Sequence, residues 1–362
     1  MKIGILTYHK AQNYGAVLQT YASQEVLKQL GHDVEVVDYY APAIAKSYRF
    51  FPPLAHEPFV RKLKVIVLFL LTLYKEGNRR RRRTVFHQFV TSKLQLSKQR
   101  YTQPFETELH YDMYYIGSDQ VWNYDKISGF DSVYWGNFKV RDDARKMAYA
   151  ASLSTSGFAS ECEDFCRKAL DNFSSVSVRE KQLVDLLQPL TTKTLTCVLD
   201  PTLLLTAADY TKIAVAPSSK RFVLAYALNG RSEVLREAHA MAKKLGCEVI
   251  ELCGIISWRN SSERREYASP DEFLGYFMTA EYVVTSSFHG TAFSLIFHRP
   301  FTVFLSHNGG DNRLTSLLSD VQLLHRIKGA HFDMDTCDWS RVDDLLDQRK
   351  QESLQFITNA LS

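Results

Sequence analysis

The sequence contains few cysteines, and none has the paired spacing that often binds a metal ion. Its six cysteines include no Cys-x-x-Cys pair, so neither a zinc ribbon nor a dense disulfide framework is expected. No other metal-ligand spacing occurs, and the glycines after the first apolar run do not follow the G-x-G-x-x-G pattern of nicotinamide sites. The sequence therefore predicts neither a metal ion nor a separate cofactor.

Long apolar runs are also missing. The run VIVLFLLTLY at 65–74 has ten largely apolar residues, whereas a membrane-spanning helix needs about 20. The first residues, MKIGILTYHK, lack the apolar core and cleavage site of a signal peptide, so a cytoplasmic location is expected. The net charge of +4 is small and gives no indication of nucleic-acid binding.

The order of apolar runs indicates the fold class. A chain of 362 residues is too long for one ordinary core, so two domains are expected. Short apolar strands alternate with helical patterns in both halves, as in parallel α/β sheets. We predict two Rossmann-like domains facing each other across a cleft, at 1–175 and 176–340, with a helical excursion at about 58–95. A final helix at 341–362 could pack back on the first domain.

The stretch SSFHGT places His289 where a strand gives way to a helix. Ligands of open α/β sheets bind at this edge, and the N–H groups of a helix start favour anions. Ser286, Ser287 and Thr291 add hydroxyl groups there. Gly290 would let a ligand approach the backbone. A capped helix beside a packed histidine is the structural alternative, but the combination of features favours a functional site.

Two arginines occupy comparable positions. Arg179, in SVSVREKQLV, follows a strand, and its permanent cation can hold a carboxylate or phosphate with two hydrogen bonds. Arg313 precedes an apolar helical pattern, and Gly309-Gly310 before it suggests a loop that closes over a ligand. The alternatives are a surface pair between Arg179 and Glu180 and an ordinary loop at Arg313.

Polar residues also follow two strands of the first half. Asp119, in YYIGSDQVWN, could accept a proton, hold a sugar hydroxyl or simply form a turn. Amides and aspartates near aromatic rings suit a carbohydrate as well as turn chemistry. The candidate carbohydrate-binding residues are Asn13, Tyr14, Gly15, Gln19, Ser118 and Gln120, with Trp122 and Tyr124 close by in the sequence.

Five segments, taken together and in this order, resemble the polysaccharide pyruvyl transferase family: GILTYHKAQNYGAVLQTYA, YIGSDQVWN, SVSVREKQ, VLDPTLLL and SSFHGTAFSLIF. They span most of the chain. The resemblance implies a fold like that of the two-domain GT-B glycosyltransferases. It also implies transfer of a pyruvyl group from phosphoenolpyruvate to a sugar, usually as a cyclic ketal across two hydroxyls.

The resemblance also implies roles for individual residues. Arg179 matches the family arginine in the strand–VRE motif, and His289 matches the histidine of its SFHG motif. Arg313 is the best match for a further basic residue of the donor site. His289 is thus the candidate proton donor or partner of the departing phosphate, and the two arginines would clamp the donor anion, together with Ser287, Gly290 and Thr291. Asp119 is the candidate base for an acceptor hydroxyl. The first domain, with its candidate carbohydrate-binding residues, is the expected acceptor side, and the second domain is the expected donor side.

A basic cluster, Arg79 to Arg83, follows the ten-residue apolar run. An apolar patch beside cations can dock on an anionic membrane surface. Acceptors in bacterial capsule and exopolysaccharide assembly are commonly carried there on polyprenyl diphosphates, so peripheral membrane contact is one expectation. The alternative is a helix buried against the first domain, with a solvated basic end.

Two other functions are compatible with the same fold. A glycosyltransferase using a nucleotide sugar would need an acid or amide to hold the ribose or base, and Glu251 and Asp271 are the candidates. A non-catalytic glycan-binding protein is the third alternative. It would have no need for both Arg179 and His289.

Overall fold

The computed structural model describes most of the chain, namely residues 1–42, 75–103, 110–123, 130–153, 162–218, 221–256, 261–305, 311–328 and 337–362. The strands are β1 (Lys2–Leu6), β2 (Asp33–Tyr39), β3 (Leu96–Tyr101), β4 (Met113–Ile116), β5 (Arg145–Ala151), β6 (Ser175–Val178), β7 (Leu195–Cys197), β8 (Phe222–Ala227), β9 (Glu248–Cys253), β10 (Arg264–Arg265), β11 (Tyr282–Thr285) and β12 (Phe301–Val303). The α-helices are α1 (Tyr14–Gln29), α2 (Glu76–Lys93), α3 (Glu163–Leu170), α4 (Lys181–Leu187), α5 (Ala207–Thr211), α6 (Arg231–Leu245), α7 (Pro270–Thr279), α8 (Phe288–Ile296), α9 (Asn312–Asp320) and α10 (Trp339–Leu361).

These strands form two parallel sheets. The first has the order β3-β2-β1-β4-β5-β6-β7, and the second has the order β10-β9-β8-β11-β12. In each sheet the chain starts in the middle, moves outward on one side and then returns to continue on the other, as in Rossmann folds. The predicted architecture of two Rossmann-like domains is confirmed by this strand order.

The first sheet extends further along the chain than the sequence analysis proposed. β6 pairs with β5, and β7 pairs with β6, so the first sheet ends at Cys197 instead of near residue 175. The second sheet begins at Phe222. The sequence of a short buried strand such as SVSV does not indicate which sheet it joins. The domain boundary was therefore placed too early in the chain. As a consequence, Arg179 follows a strand of the first sheet.

The last helix, α10, returns to the first domain. Arg349 donates to the carbonyl oxygen of Cys197 at 3.1 Å, and the hydroxyl of Ser353 accepts from the N–H of Leu199 at 2.9 Å. Near the end of the helix, Arg145 donates to the carbonyl oxygen of Leu361 at 3.1 Å. The chain thus closes on the edge of the sheet where β7 lies.

Helix ends follow the local sequence. Ser269 accepts from the N–H of Glu272 and Pro270 occupies the first turn of α7, and both residue types are common at helix starts. At the end of α1, Gly31 adopts φ of +86°, a left-handed conformation that glycine tolerates without strain. These caps place the strand-to-helix junctions at defined points of the sheet edges.

The two domains share a packed core beside the cleft. The ring of Tyr14 on α1 stacks on that of Phe273 on α7 with their centroids 4.5 Å apart. The hydroxyl of Tyr14 donates to the carbonyl oxygen of Ala268 at 2.9 Å. This contact holds the start of α1 against the second domain.

The arginine run on α2 lies at the same interface. Arg82 is only 3% exposed and donates to the carbonyl oxygens of Gln12, Cys253, Gly254 and Glu266 at 2.9–3.0 Å. It therefore bridges the two domains and is unavailable to a membrane surface, which corrects part of the expectation for residues 79–83. The apolar run at 65–74 lies outside the described residues. No described helix is both long and apolar enough to cross a bilayer.

Candidate functional site

The strand order brings the predicted site segments together. The loops after β1 and β4 lie where the strand order of the first sheet reverses. The loops after β8 and β11 lie at the corresponding point of the second sheet. Such switch points open a crevice at the carboxyl ends of the strands. His289, which follows β11, and Gly15, which follows β1, meet across this crevice.

His289 is held directly against the backbone of the opposite domain. A Cβ atom built on Gly15 would lie 2.0 Å from Nδ1 of His289, so no residue with a side chain fits there without displacing the imidazole. His289 is 7% exposed. Its Nε2 lies 3.8 Å from Oδ1 of Asp200, which is too long for a hydrogen bond, and has no hydrogen-bond partner among the described residues.

Asp200 lies at the centre of the site. Its Oδ2 accepts from Nη1 of Arg179 at 2.6 Å and from the hydroxyl of Ser118 at 3.0 Å. Its Oδ1 accepts from the N–H and hydroxyl of Thr202 at 3.0 and 2.7 Å. Burial opposes ionisation, but His289, Arg179 and Thr202 outweigh it and hold the pKa of Asp200 well below its usual range. Asp200 is therefore a fixed negative charge.

Arg179 uses only part of its guanidinium in this pair. Within the described part of the chain, its Nε and Nη2 are buried without a hydrogen-bond partner, although Nη2 lies 3.7 Å from Oδ1 of Asp119. One face of the guanidinium covers the ring of Phe288 at 4.9 Å. Burial alone would lower the pKa of Arg179, but Asp200, Glu180 and Asp119 raise it. The group is a buried permanent cation with two unused donors, which suits a carboxylate or phosphate.

Arg313 lies close to this cation. Its Nε is 3.7 Å from Oε1 of Glu180, which also accepts a short hydrogen bond from the hydroxyl of Ser152. Burial, and next the charge of Arg179, lower the pKa of Arg313 to about 10. Arg179 is buried and Arg313 is 14% exposed, and a bound anion would offset the repulsion between these two cations. Gly309-Gly310, the proposed closing loop, lie outside the described residues.

Asp119 lies at the border of the site. Its backbone is in the left-handed region with φ of +69°, which aspartate tolerates better than most residues. Its carbonyl oxygen accepts from the N–H of Ser152 at 3.0 Å, which ties this loop to β5. Its side chain is 14% exposed and faces Arg179. It can thus meet both the arginine and a group that enters the crevice.

The polar residues at the start of α8 support the helix itself. The hydroxyl of Ser287 accepts from the N–H of Gly290 at 3.4 Å, and the hydroxyl of Thr291 donates to the carbonyl oxygen of Ser287 at 3.1 Å. A Cβ on Gly290 would lie 2.3 Å from Oγ1 of Thr285, so packing alone already requires a glycine here. The sequence could not separate these roles, because a cap and an anion site use the same residue types.

Several proposed acceptor-binding residues are also internal. Tyr14, Gln19 and Ser118 are fully buried, and Gln19 donates to the hydroxyl of Thr7 at 2.8 Å and the carbonyl oxygen of Ala16 at 2.9 Å. They offer no surface to a sugar, which corrects their assignment.

The remaining acceptor candidates also have local roles. Asn13 caps α1 by accepting from the N–H of Ala16 at 3.2 Å. The carbonyl oxygen of Gln120 accepts from the hydroxyl of Tyr8 at 3.1 Å. Trp122 is fully buried and stacks on Trp135, while Tyr124 lies outside the described residues. Among the acceptor candidates, Gly15 lies directly against His289.

Two residues of the site were not selected from the sequence. Asp200 occurs in VLDPTLLL, where an aspartate before a proline has the appearance of a helix cap, and it does cap the short 3-10 helix Pro201–Leu204. Glu180 follows Arg179 and was considered only as its surface partner. Both are buried acids beside buried cations, a relationship that only the fold brings together. The described residues contain no group of three or more His, Cys, Asp or Glu side chains that could hold a metal ion.

Comparison with known proteins gives one strong similarity. The model of the polysaccharide pyruvyl transferase family matches residues 13–308. No curated protein sequence is significantly similar to the chain.

Three solved structures illustrate the structural likenesses. UDP-GlcNAc 2-epimerase from Methanocaldococcus jannaschii has a TM-score of 0.44 at 10% identity, over 96% of this chain and 92% of that chain. UDP-N-acetylglucosamine 2-epimerase from Rickettsia bellii has a TM-score of 0.42 at 8% identity, over 99% and 95%. A spinosyn rhamnosyltransferase has a TM-score of 0.40 at 11% identity, over 99% and 96%. These values are too low to carry an inference about function.

The family match covers most of the chain and includes both sides of the crevice, from Gly15 through Arg179 and Asp200 to His289. The chain therefore belongs to the polysaccharide pyruvyl transferase family.

Proposed function

We propose that this protein moves the pyruvyl group of phosphoenolpyruvate to a sugar of a polysaccharide or a polyprenyl-diphosphate-linked oligosaccharide, forming a cyclic ketal and releasing phosphate. One observation carries the proposal. The buried Arg179 and the partly exposed Arg313 lie near each other, and Asp200, which binds Arg179, lies 3.8 Å from the imidazole of His289, whose Nε2 has no hydrogen-bond partner in the described part of the chain. This arrangement suits a small donor with two anionic groups.

The donor would bind through charge. Phosphoenolpyruvate carries a carboxylate and a phosphate, and the unused Nε and Nη2 of Arg179 can hold one of them with two hydrogen bonds. Arg313 would contact the other and, with Arg179, offset the charge of the departing phosphate. A bound anion would also reduce the repulsion between the two guanidinium groups.

The imidazole of His289 would act on the enol carbon. In this proposal, Nε2 donates a proton to the CH2 group, so that the adjacent carbon develops positive charge. One sugar hydroxyl attacks that carbon and gives its proton to Asp119, which passes it to the departing phosphate. The second hydroxyl then closes the ring and returns a proton to His289. Asp200 would stabilise the protonated imidazole by its fixed charge 3.8 Å away.

The nucleotide-sugar alternative receives no support from its candidate residues. Glu251 is buried and already paired with Arg231 at 2.5 Å and Arg264 at 3.0 Å, so it is not available to a ribose hydroxyl. Asp271 lies in the first turn of α7, where acids stabilise a helix start.

The test is to incubate the purified protein with phosphoenolpyruvate and a panel of glycans, lipid-linked glycans and nucleotide sugars. Phosphate release from phosphoenolpyruvate together with a pyruvyl-sized mass gain on a glycan supports the proposal. Glycosyl transfer from a nucleotide sugar, with no consumption of phosphoenolpyruvate, contradicts it.

A further inference from the structure

A second cleft lies on the first domain, between the loop after β1 and helix α2. It has a volume of about 320 Å³. Lys10, Arg83 and Arg100 supply positive charge to its lining, and none of the described residues that line it is an aspartate or a glutamate. The residues that matter here are Lys10, Tyr40, Arg83, Phe86, His87 and Arg100.

Two of these cations, Lys10 and Arg100, are held in place by the carboxylate of Asp38, which lies behind the cleft lining. Asp38 is 5% exposed, and it accepts from Nε2 of His9 and from Nε of Arg100, each at 3.1 Å. Nζ of Lys10 forms a close ion pair with the same carboxylate. Burial first, and also the charge of Arg100, lower the pKa of Lys10 in spite of Asp38. One carboxylate thus orients two cations and leaves the wall positive.

The opposite wall is helix α2. Arg83 is anchored to Glu76 by a contact of 2.7 Å, yet 42% of its side chain is exposed and it lines the cleft. His87 follows one helical turn later, and Phe86 adds an apolar surface. The cleft therefore combines cations on two sides with an apolar and aromatic lining.

We propose that this cleft binds a phosphate or diphosphate group that carries the acceptor sugar. The proposal rests on the proposed function, since it names the part of the acceptor that the first domain would recognise. Guanidinium groups hold phosphate oxygens with two hydrogen bonds, and the described lining residues contribute no carboxylate that would repel them. The apolar side would accommodate the group attached beyond the phosphate.

The cleft and the donor site are linked by one short segment. Lys10 lines the cleft, and Gly15, five residues later, touches His289. Five residues span at most about 18 Å even when fully extended. A short oligosaccharide attached to a phosphate in the cleft can thus reach the imidazole.

Inorganic pyrophosphate is the probe for the first experiment, with its affinity measured by calorimetry. Arg83 and Arg80 offer a matched pair, because both are on α2 and both contact Glu76, but only Arg83 lines the cleft. We expect Arg83→Gln to weaken pyrophosphate binding about tenfold and Arg80→Gln to leave it unchanged. Equal losses in both variants would mean general attraction by charge and would overturn the proposal. A loss confined to Arg179→Gln would place the probe in the donor site and would also overturn it.

The second experiment identifies the source of the phosphate. The same glycan is supplied in three forms: free, linked to a nucleoside diphosphate, and linked to a polyprenyl diphosphate. The acceptor KM is then measured for wild type, Arg83→Gln and Arg80→Gln. We expect a KM increase in Arg83→Gln alone, and only with diphosphate-bearing acceptors; the acceptor with the lowest KM reveals the source. Turnover with an unchanged KM in Arg83→Gln overturns the cleft proposal. No phosphate release with any acceptor, while pyrophosphate binding still depends on Arg83, overturns the proposed function instead.

Discussion

Gly15 in the first domain lies directly against the imidazole of His289 in the second, with space for a hydrogen atom and nothing larger. The position of the proposed proton donor is therefore set by the backbone of the other domain. Any change that moves α1 relative to α8 also moves this imidazole. The relationship explains why a glycine is required at the start of a helix, where most residues would be tolerated.

The first prediction concerns this contact. We expect Gly15→Ala to lower turnover about 100-fold, because a displacement of about 1 Å at a reacting group has an effect of that size. Thermal unfolding should confirm that the variant still folds. Gly77→Ala is the matched control, because a Cβ on that helical glycine meets nothing within 4 Å. Similar turnover in both variants would contradict the role given to the contact.

The second prediction concerns the unused donors of Arg179. Lysine preserves the positive charge but loses the planar pair of donors. We expect Arg179→Lys to raise the KM for phosphoenolpyruvate about tenfold or more, while the acceptor KM changes little. Initial rates measured over a range of donor concentrations provide the check. An unchanged donor KM would show that Arg179 serves only its ion pair with Asp200.

The third prediction concerns stability and pH. The pKa of Asp200 is lower in the fold than in the unfolded chain, so its charge stabilises the fold above about pH 4 and that contribution is lost as the pH falls further. We expect Asp200→Asn to cost about 3 kcal/mol at pH 7, because Arg179 is left buried beside a neutral amide.

Urea unfolding at several pH values is the measurement. Below about pH 4 the free energy of unfolding of wild type should fall more steeply than that of Asp200→Asn, since the variant no longer takes up this proton on unfolding. Parallel curves for the two proteins would mean that Asp200 is not held ionised by its neighbours.

The fourth prediction concerns the bridge between the domains. Arg82 donates to main-chain carbonyl oxygens on both sides of the interface, so its removal leaves several buried acceptors unsatisfied. We expect Arg82→Gln to lower the free energy of unfolding by about 3 kcal/mol. Arg80→Gln, three-quarters exposed on the same helix, should change it by less than about 0.5 kcal/mol. Chemical denaturation compares the two, and equal effects would rule out the bridging role.

The sequence was sufficient for the fold class and for selecting Arg179 and His289, which the fold places near Asp200, but not for the role of each polar residue. Alternating strands and helices predicted two Rossmann-like domains because periodicity is a local property. His289 and Arg179 were found because each follows a strand, and parallel strands bring such positions to one edge. Asp200 was missed because its hydrogen bonds to Arg179 and Ser118 join residues 21 and 82 positions away.

For the proposed acceptor site, the sequence selected residues that the fold buries. Tyr14 and Gln19 are polar residues beside a predicted crevice, yet they face the interdomain core and the interior of the first domain. A cap, a buried hydrogen bond and a ligand contact require the same residue types, and only burial separates them. Similarly, SVSV is a buried strand in any sheet, so the sequence alone could not assign β6 to the first domain.

Proton transfer by His289 is the central claim, and its most direct test is the rate of phosphate release from saturating phosphoenolpyruvate with an accepted glycan. We predict that His289→Gln, which preserves size and polarity, slows this rate about 100-fold or more while the variant still binds the donor. A rate close to wild type in His289→Gln would contradict the account.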